Sequence, residues 1–193
     1  ASSKQEFGAY TLRPKISRLL PFYLDEFPRL KSHSIDWQAT HQKVHWESLF
    51  TTSEIDSSVP EVSWIRPGEK SAQKALSRFI RTGLRRYENE RNDPTLAGQS
   101  NLSPYLHFGQ LSAQRAALAV TRAKIPAAIK DAFLEELTVR RELADNFCFY
   151  NNSYDRTAAF PEWAKKTLHA HRKDKRETIY SLCELEKAET HDP

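Results

Sequence analysis

Apolar residues in the later two-thirds of this chain recur at steps of three and four, a spacing that restricts the chain to helix. Over 69–90 they fall at Ala72, Ala75, Leu76, Phe79, Ile80, Leu84 and Tyr87. This is one face of an amphipathic helix about 33 Å long. Asn92-Asp93-Pro94 ends it, because proline disfavours helix in the residue before it. Residues 95–111 read as a turn-rich insert. Ser112 caps a helix predicted over 113–124. Pro126 opens a longer one reaching Asn146 or beyond, with Ile129, Phe133, Leu137, Leu143 or Ala144, and Phe147 on its stripe. Its end, Phe147-Cys148-Phe149-Tyr150, is apolar enough to predict partial burial. Pro161 starts a helix over 162–171, and a last helix is predicted over 175–189 with Ile179, Leu182 and Leu185 inward. From residue 69 onward no β alternation of useful length appears, and the chain has no internal repeat. The expected fold class is mostly α.

The first 68 residues read differently. The chain starts extended or irregular, then turns helical, with Pro14 in a first helical turn. Ile16, Leu19, Leu20, Tyr23, Leu24 and Phe27 form the stripe, and Pro21 is expected to kink it. Residues 31–68 are polar and pinned by Trp37, Trp46 and Trp64, with Asp36 capping a short helix through about Phe50 and a loop over 51–60. The boundaries expected are therefore 1–30, a connector over 31–68, and a helical region over 69–193.

Composition narrows the class. The 193 residues carry 29 basic and 25 acidic side chains, and 39% are hydrophobic. That is enough to bury a core and excludes wholesale disorder. No apolar run reaches the roughly 18 residues of a membrane span, and the start has no signal-peptide pattern. Two cysteines, Cys148 and Cys183, cannot form a disulfide framework or a four-cysteine zinc site. They are expected to be buried or incidental thiols in a reducing compartment. Five glycines nearly exclude glycine-rich nucleotide loops, and the seven histidines have no metal-ligand spacing. The absence of methionine, with a start and end that carry no boundary logic, suggests an internal segment of a longer protein.

Three constellations could carry chemistry. Over 66–91 there are eight basic residues, Arg66, Lys70, Lys74, Arg78, Arg81, Arg85, Arg86 and Arg91, against Glu69, Glu88 and Glu90. Such a stripe can follow a phosphate backbone, and it can equally be a solvated helix face. Gln99-Ser100-Asn101-Leu102-Ser103 offers two hydroxyls and an amide near exposed backbone N–H groups. It is either a phosphate cradle or a capping motif. In 133–147, Glu136 and Arg140 are four apart and share a helix face, as do Arg141 and Asp145. Each can be a simple ion pair, although charges entering a core tend to bind something.

Taken in order, these segments resemble one family. The residues are Lys4-Gln5-Glu6, Arg13-Pro14-Lys15-Ile16, Val59-Pro60-Glu61-Val62 and Arg91-Asn92-Asp93-Pro94. They continue as Ser100-Asn101-Leu102-Ser103-Pro104-Tyr105-Leu106-His107-Phe108-Gly109-Gln110, the stretch 133–147 with its Arg-Arg-Glu-Leu-Ala-Asp-Asn-Phe, Trp163-Ala164, Lys166-Thr167-Leu168, and Thr190-His191-Asp192-Pro193. Over essentially its whole length the chain resembles class II cyclobutane pyrimidine dimer photolyases, within the photolyase/cryptochrome superfamily.

The resemblance implies a layout and a reaction. Residues 1–30 would be the tail of an α/β Rossmann-like antenna domain, 31–68 the interdomain connector, and 69–193 the first half of a helical FAD-binding domain. Reduced FAD, excited by light, passes one electron to a pyrimidine dimer flipped out of double-stranded DNA; the cyclobutane ring splits and the electron returns. Tyr87 falls where an aromatic lies against the flavin nucleotide, and Gln99, Ser100, Asn101, Leu102 and Ser103 on the stretch cradling the FAD phosphates. Arg141 corresponds to an arginine contacting FAD phosphate. Arg91 matches the basic residue that fills the hole left by the flipped dimer, with Asn92 beside it near the DNA. Glu136 matches the active-site acid that hydrogen-bonds the dimer bases. Arg140 stands where superfamily relatives carry tryptophan, though a guanidinium can also stack. Tyr180 is a candidate for the aromatic chain that re-reduces the flavin. The resemblance further implies a monomer, a nuclear or otherwise DNA-associated compartment, an antenna pigment it does not identify, and a pocket completed by segments beyond 193. The 193 residues alone are thus expected to bind FAD poorly. Competing readings are a cryptochrome-like flavin photoreceptor without repair and a helical DNA-binding module without cofactor.

Overall fold

The computed structural model describes residues 1–29, 31–35, 43–53, 58 and 60–191. The predicted Asp36 cap, Trp37, Val59, the loop residues 54–57 and the terminal Asp192-Pro193 lie outside them. Every regular element among the described residues is helical: α1 (Ala9–Tyr23), α2 (Trp46–Thr52), α3 (Glu69–Arg78), α4 (Leu84–Glu90), α5 (Ser103–His107), α6 (Ala113–Arg122), α7 (Ala127–Leu134), α8 (Arg141–Tyr150), α9 (Glu162–Ala170) and α10 (Leu182–Glu186). Two π-helical segments join these into longer runs: Phe79–Gly83 links α3 to α4, and Glu135–Arg140 links α7 to α8. The chain divides into two compact units, 1–144 and 145–193.

In the first unit, the 69–90 stripe is buried as its spacing predicts. Ala72, Leu76, Phe79, Leu84 and Tyr87 pack with Leu102, Tyr105, Leu111, Ala116, Ala117, Val120, Phe133 and Leu137. Fully burying a side chain of this size is worth roughly 1.5–3 kcal/mol. At the centre, the rings of Phe79, Tyr87 and Phe133 meet pairwise, with centroids 5.0–5.6 Å apart. Such pairs add about 0.5–1.5 kcal/mol beyond area burial. The Ser112 cap forms as predicted, its Oγ accepting from Arg115 N at 3.1 Å. The Tyr105 hydroxyl donates to Arg66 O at 2.9 Å, tying α5 to the start of the long helix.

The entry helix departs from prediction. α1 starts at Ala9, so Pro14 sits inside it, and the helix continues through Pro21 to Tyr23. Tertiary packing decides this: Ala9, Leu12 and Ile16 are buried against Val139 and Leu143. The later part of the expected stripe is weaker, with Tyr23 exposed. Phe27 instead stacks under Arg115, whose Cζ is 4.6 Å from the ring centroid. Two further bonds hold the chain just after α1, as Gln114 Nε2 donates to the carbonyls of Tyr23 (3.0 Å) and Asp25 (3.1 Å).

The second unit also corrects several expectations. None of its described residues is buried. The apolar end of α8 is open, with Phe149 78% exposed, and both cysteines are exposed. The last helix shrinks to five residues, because Ser181 restarts it with a capping box. Ser181 N donates to Glu184 Oε2 at 2.6 Å, and Ser181 Oγ accepts from Glu184 N. Ile179, Leu182 and Leu185 face outward. α9 starts after Pro161, one residue shorter than predicted. No described helix is long and apolar enough to cross a membrane, and no described cluster could hold a metal ion.

Candidate functional site

The run from α3 through α4 ends at Glu90, and Arg91 caps it. The predicted stop follows, with Asp93 Oδ1 accepting from the backbone N (2.9 Å) and Oγ1 (2.6 Å) of Thr95. These donors hold the Asp93 carboxyl below the usual range. The chain then doubles back. Gly98 is buried so tightly on the helix end that a Cβ there would lie 2.5 Å from the backbone carbon and oxygen of Glu90. Next to it, Gln99 Nε2 donates to the Arg91 carbonyl. Sequence reasoning gave Gln99 a ligand role and missed Gly98; in the structure both seat the loop on the end of α4.

The loop itself has a left-handed turn at Asn101 (φ 55°), a conformation asparagine tolerates better than most residues. Leu102 is fully buried beneath it, and its N–H points at Ser100 Oγ, 3.4 Å away. The hydroxyls of Ser100 and Ser103 and the Asn101 amide are thereby held on a buried leucine anchor. Backbone N–H groups brought together at a turn of this kind can form an anion-binding concavity.

Arg91 connects this loop to the third predicted constellation. Its Nη1 donates to Glu88 O at 3.1 Å, its Cζ lies 5.7 Å from the centroid of the Tyr87 ring, and its Nε is 3.9 Å from Glu136 Oε1. Tyr87, Arg91 and Glu136 thus meet, although they come from two different helical runs. Burial pushes the Tyr87 hydroxyl pKa up, the negative Glu136 adds to this, and Arg91 opposes it.

Glu136 does not take the helical partner that its spacing allows. Arg140 pairs with Glu135, Nε to Oε1 at 3.7 Å. The reason is local geometry, since 135–140 is π-helical and its i,i+5 pitch brings residue 135, not 136, over residue 140. Glu135 is further clamped from α1, with Arg13 Nη2 2.7 Å and Nε 2.9 Å from its two carboxylate oxygens. That fork holds the Glu135 carboxyl below its ordinary range. Two adjacent glutamates therefore differ: Glu135 straps the fold, and Glu136 faces Arg91.

The other candidates are more dispersed. Asn92 is exposed in the turn after α4. Arg141 lines a cavity of about 390 Å³ with Ile16, Leu20, Ala117 and Leu137, whose walls include neither Tyr87 nor residues 99–103. Tyr180 OH accepts from the backbone N of His191 at 3.0 Å in the second unit. Arg85 is exposed, and the other seven residues of the basic stripe split three ways. Arg86 pairs with Glu90 at 2.9 Å, Arg91 with Glu136, and five others line an exposed groove beside α3.

No protein-family model matches the chain. It is similar over its whole length to proteins named deoxyribodipyrimidine photo-lyase: 46% identical to the one from the marsupial Potorous tridactylus, and 47% to those from Oryza sativa subsp. japonica and Arabidopsis thaliana. An archaeal protein of that name, from Methanothermobacter thermautotrophicus, is 42% identical, again over the whole chain. The match takes in the whole of this chain, which spans 36%, 40% and 41% of the length of the marsupial, rice and Arabidopsis proteins.

Proposed function

We propose that these residues form part of a class II DNA photolyase that reverses cyclobutane pyrimidine dimers in light, with 69–193 as the opening half of its flavin-binding region and 1–30 as the tail of a preceding α/β domain. The observation that carries this reading is the meeting of Arg91, Tyr87 and Glu136 beside the loop seated by Gly98 and Gln99. The donor set at 99–103 fits a phosphate-bearing cofactor: two hydroxyls, an amide, and a backbone turned at Asn101 on a buried anchor. Tyr87, residues 99–103 and Arg141 would hold FAD, which when bound in its reduced form supplies the light-excited electron.

The chain's own residues have separate tasks. Arg91 offers a planar cation on the end of a rigid helix, suited to fill the hole that the flipped dimer leaves in the duplex. Glu136 offers hydrogen bonds to the bases of the extruded dimer, which gains negative charge during cleavage. Arg91 and Glu136 sit 3.9 Å apart, so both side chains can face the same lesion. Asn92, exposed beside Arg91, is placed to meet the strand, and Arg140, already leaning on Glu135, can offer a flat guanidinium face.

The deciding experiment illuminates the full-length protein, flavin reduced, with a duplex carrying one thymine dimer, and follows the return of pyrimidine ultraviolet absorbance. Light-dependent recovery supports repair. Bound flavin with no recovery would move the protein to the photoreceptor class, and a colourless protein would leave only a DNA-binding module. Arg91→Ala should weaken binding of the dimer duplex and lower the salt slope of affinity by about one; equal affinity and slope would remove Arg91 from the interface.

A further inference from the structure

We propose that the groove beside α3 is a second nucleic-acid site, one that tracks the backbone of undamaged duplex away from the Arg91–Glu136 pair. The inference rests on the DNA-repair reading above but assigns residues that reading does not use. Arg66, Lys70, Lys74, Arg78 and Arg81 line one open groove of about 970 Å³, with Asn101 on its wall. All five cations are exposed. None has an ion pair with a carboxylate of the described residues, in contrast to Arg86 and Arg91 of the same helical run. The nearest acid in sequence, Glu69, is occupied by the Gln73 amide at 2.9 Å.

Spacing and charge fit a long polyanion better than a small one. Lys70, Lys74 and Arg78 follow each other at i,i+4, and Arg81 continues the line, which spans about 16 Å at 1.5 Å per residue. Phosphates on one strand advance about 3.4 Å each along the duplex axis, so a row lying parallel to that axis spans the rise of roughly five of them. One pyrophosphate would engage two of the cations and leave the others repelling one another. Self-repulsion of uncompensated like charges disfavours the free state, and each cation that neutralises a phosphate releases a counterion to solution. Arg91 lies at the far end of the same helical run, so a duplex held there by its lesion extends naturally past α3.

The test uses the flavin-loaded full-length protein and its Lys70→Gln, Lys74→Gln, Arg78→Gln, Arg81→Gln quadruple variant. Affinity for undamaged duplex is measured in the dark across a salt series. Removing four phosphate contacts should lower the slope of log affinity against log salt by about 3–4. The variant should keep its flavin and its repair per photon at saturating DNA. An unchanged slope in a folded variant overturns the proposal, as does a slope that changes for polyglutamate but not for DNA. Loss of flavin with the slope intact also overturns it, because the groove would then belong to the cofactor cradle. If the quadruple variant does not fold, Lys74→Gln should lower the slope by about one and Lys74→Arg should not; equal slopes for the two overturn the proposal. Failure of the repair reading would show up separately, as wild-type protein that repairs nothing in light.

Discussion

The two π-helical segments of the first unit put a widened turn to opposite uses. At Phe79–Gly83 Arg81 and Thr82 are exposed but the inward side is dry: Phe79 is buried, and Gly83 opposes its ring so closely that a Cβ would come within 2.8 Å of Cδ2. At Glu135–Arg140 the turn is mixed. Leu137 and Val139 are buried while Glu135, Glu136 and Arg140 reach outward. One widening seats an aromatic ring; the other sends adjacent carboxylates to different partners, Glu135 to Arg13 and Glu136 to Arg91. π turns recur at functional sites, but here only the second turns carboxylates outward. The side chains it redirects decide that, not the turn itself.

The largest way to break the dry side is Phe133→Ala, which removes the ring touching both Phe79 and Tyr87. It should cost about 3–5 kcal/mol in denaturant unfolding, and should loosen Tyr87 and with it the site. A loss below about 1 kcal/mol would mean the cluster is not the keystone of this unit. On the mixed side, Glu136→Gln should lower repair per photon about tenfold, the worth of one charge-assisted hydrogen bond of roughly 1.5 kcal/mol. Its unfolding midpoint should barely move, because Glu136 is partly exposed and its one ion pair is long. Unchanged repair would leave Glu136 as a surface charge.

Smaller effects sharpen the contrast. Gly83→Ala gains up to about 1 kcal/mol of helix propensity but drives a methyl against the buried Phe79 ring, an overpacking cost of roughly 1–3 kcal/mol. The expected net is a loss near 1 kcal/mol, and a stabilised variant would show that the ring can yield. Glu135→Gln should destabilise less than this and leave repair unaltered, the mirror image of Glu136→Gln. The smallest test is acid titration. The Lys15 ammonium, with the Ser2 and Thr11 hydroxyls, lowers the buried Glu6 carboxyl from 4.5 to about 2, and Arg13 lowers Glu135. A carboxyl with a depressed folded pKa adds stability that is complete above its unfolded value and fades as pH falls through its folded one. Thermal midpoints should therefore decline as pH drops from 4.5 toward 2, and Glu135→Gln should flatten part of that decline. A flat profile in the wild type would show that these pairs do not stabilise the fold.

What the sequence determined by itself was much of what neighbours within about four residues set in 69–134. The stripe over 69–90, the stop at Asn92-Asp93-Pro94, the Ser112 cap and the helix after Pro126 all formed where their spacing put them. Local energies of capping and amphipathicity suffice for these. The likeness of whole strings likewise singled out Tyr87, Arg91, 99–103 and Glu136 as candidates before any geometry. Tertiary structure decided which of them meet. It also decided that α1 runs through two prolines because Leu12 and Ile16 have a surface to cover, and that the Phe149 and Ile179 side chains stay in water because nothing described covers them. Above all it chose partners for charges. Spacing offered Arg140 to Glu136, but a widened turn gave Arg140 to Glu135, which also binds Arg13, 122 residues away in sequence. Ion pairing depends on distances set by packing across the chain, which no count of residues along it supplies.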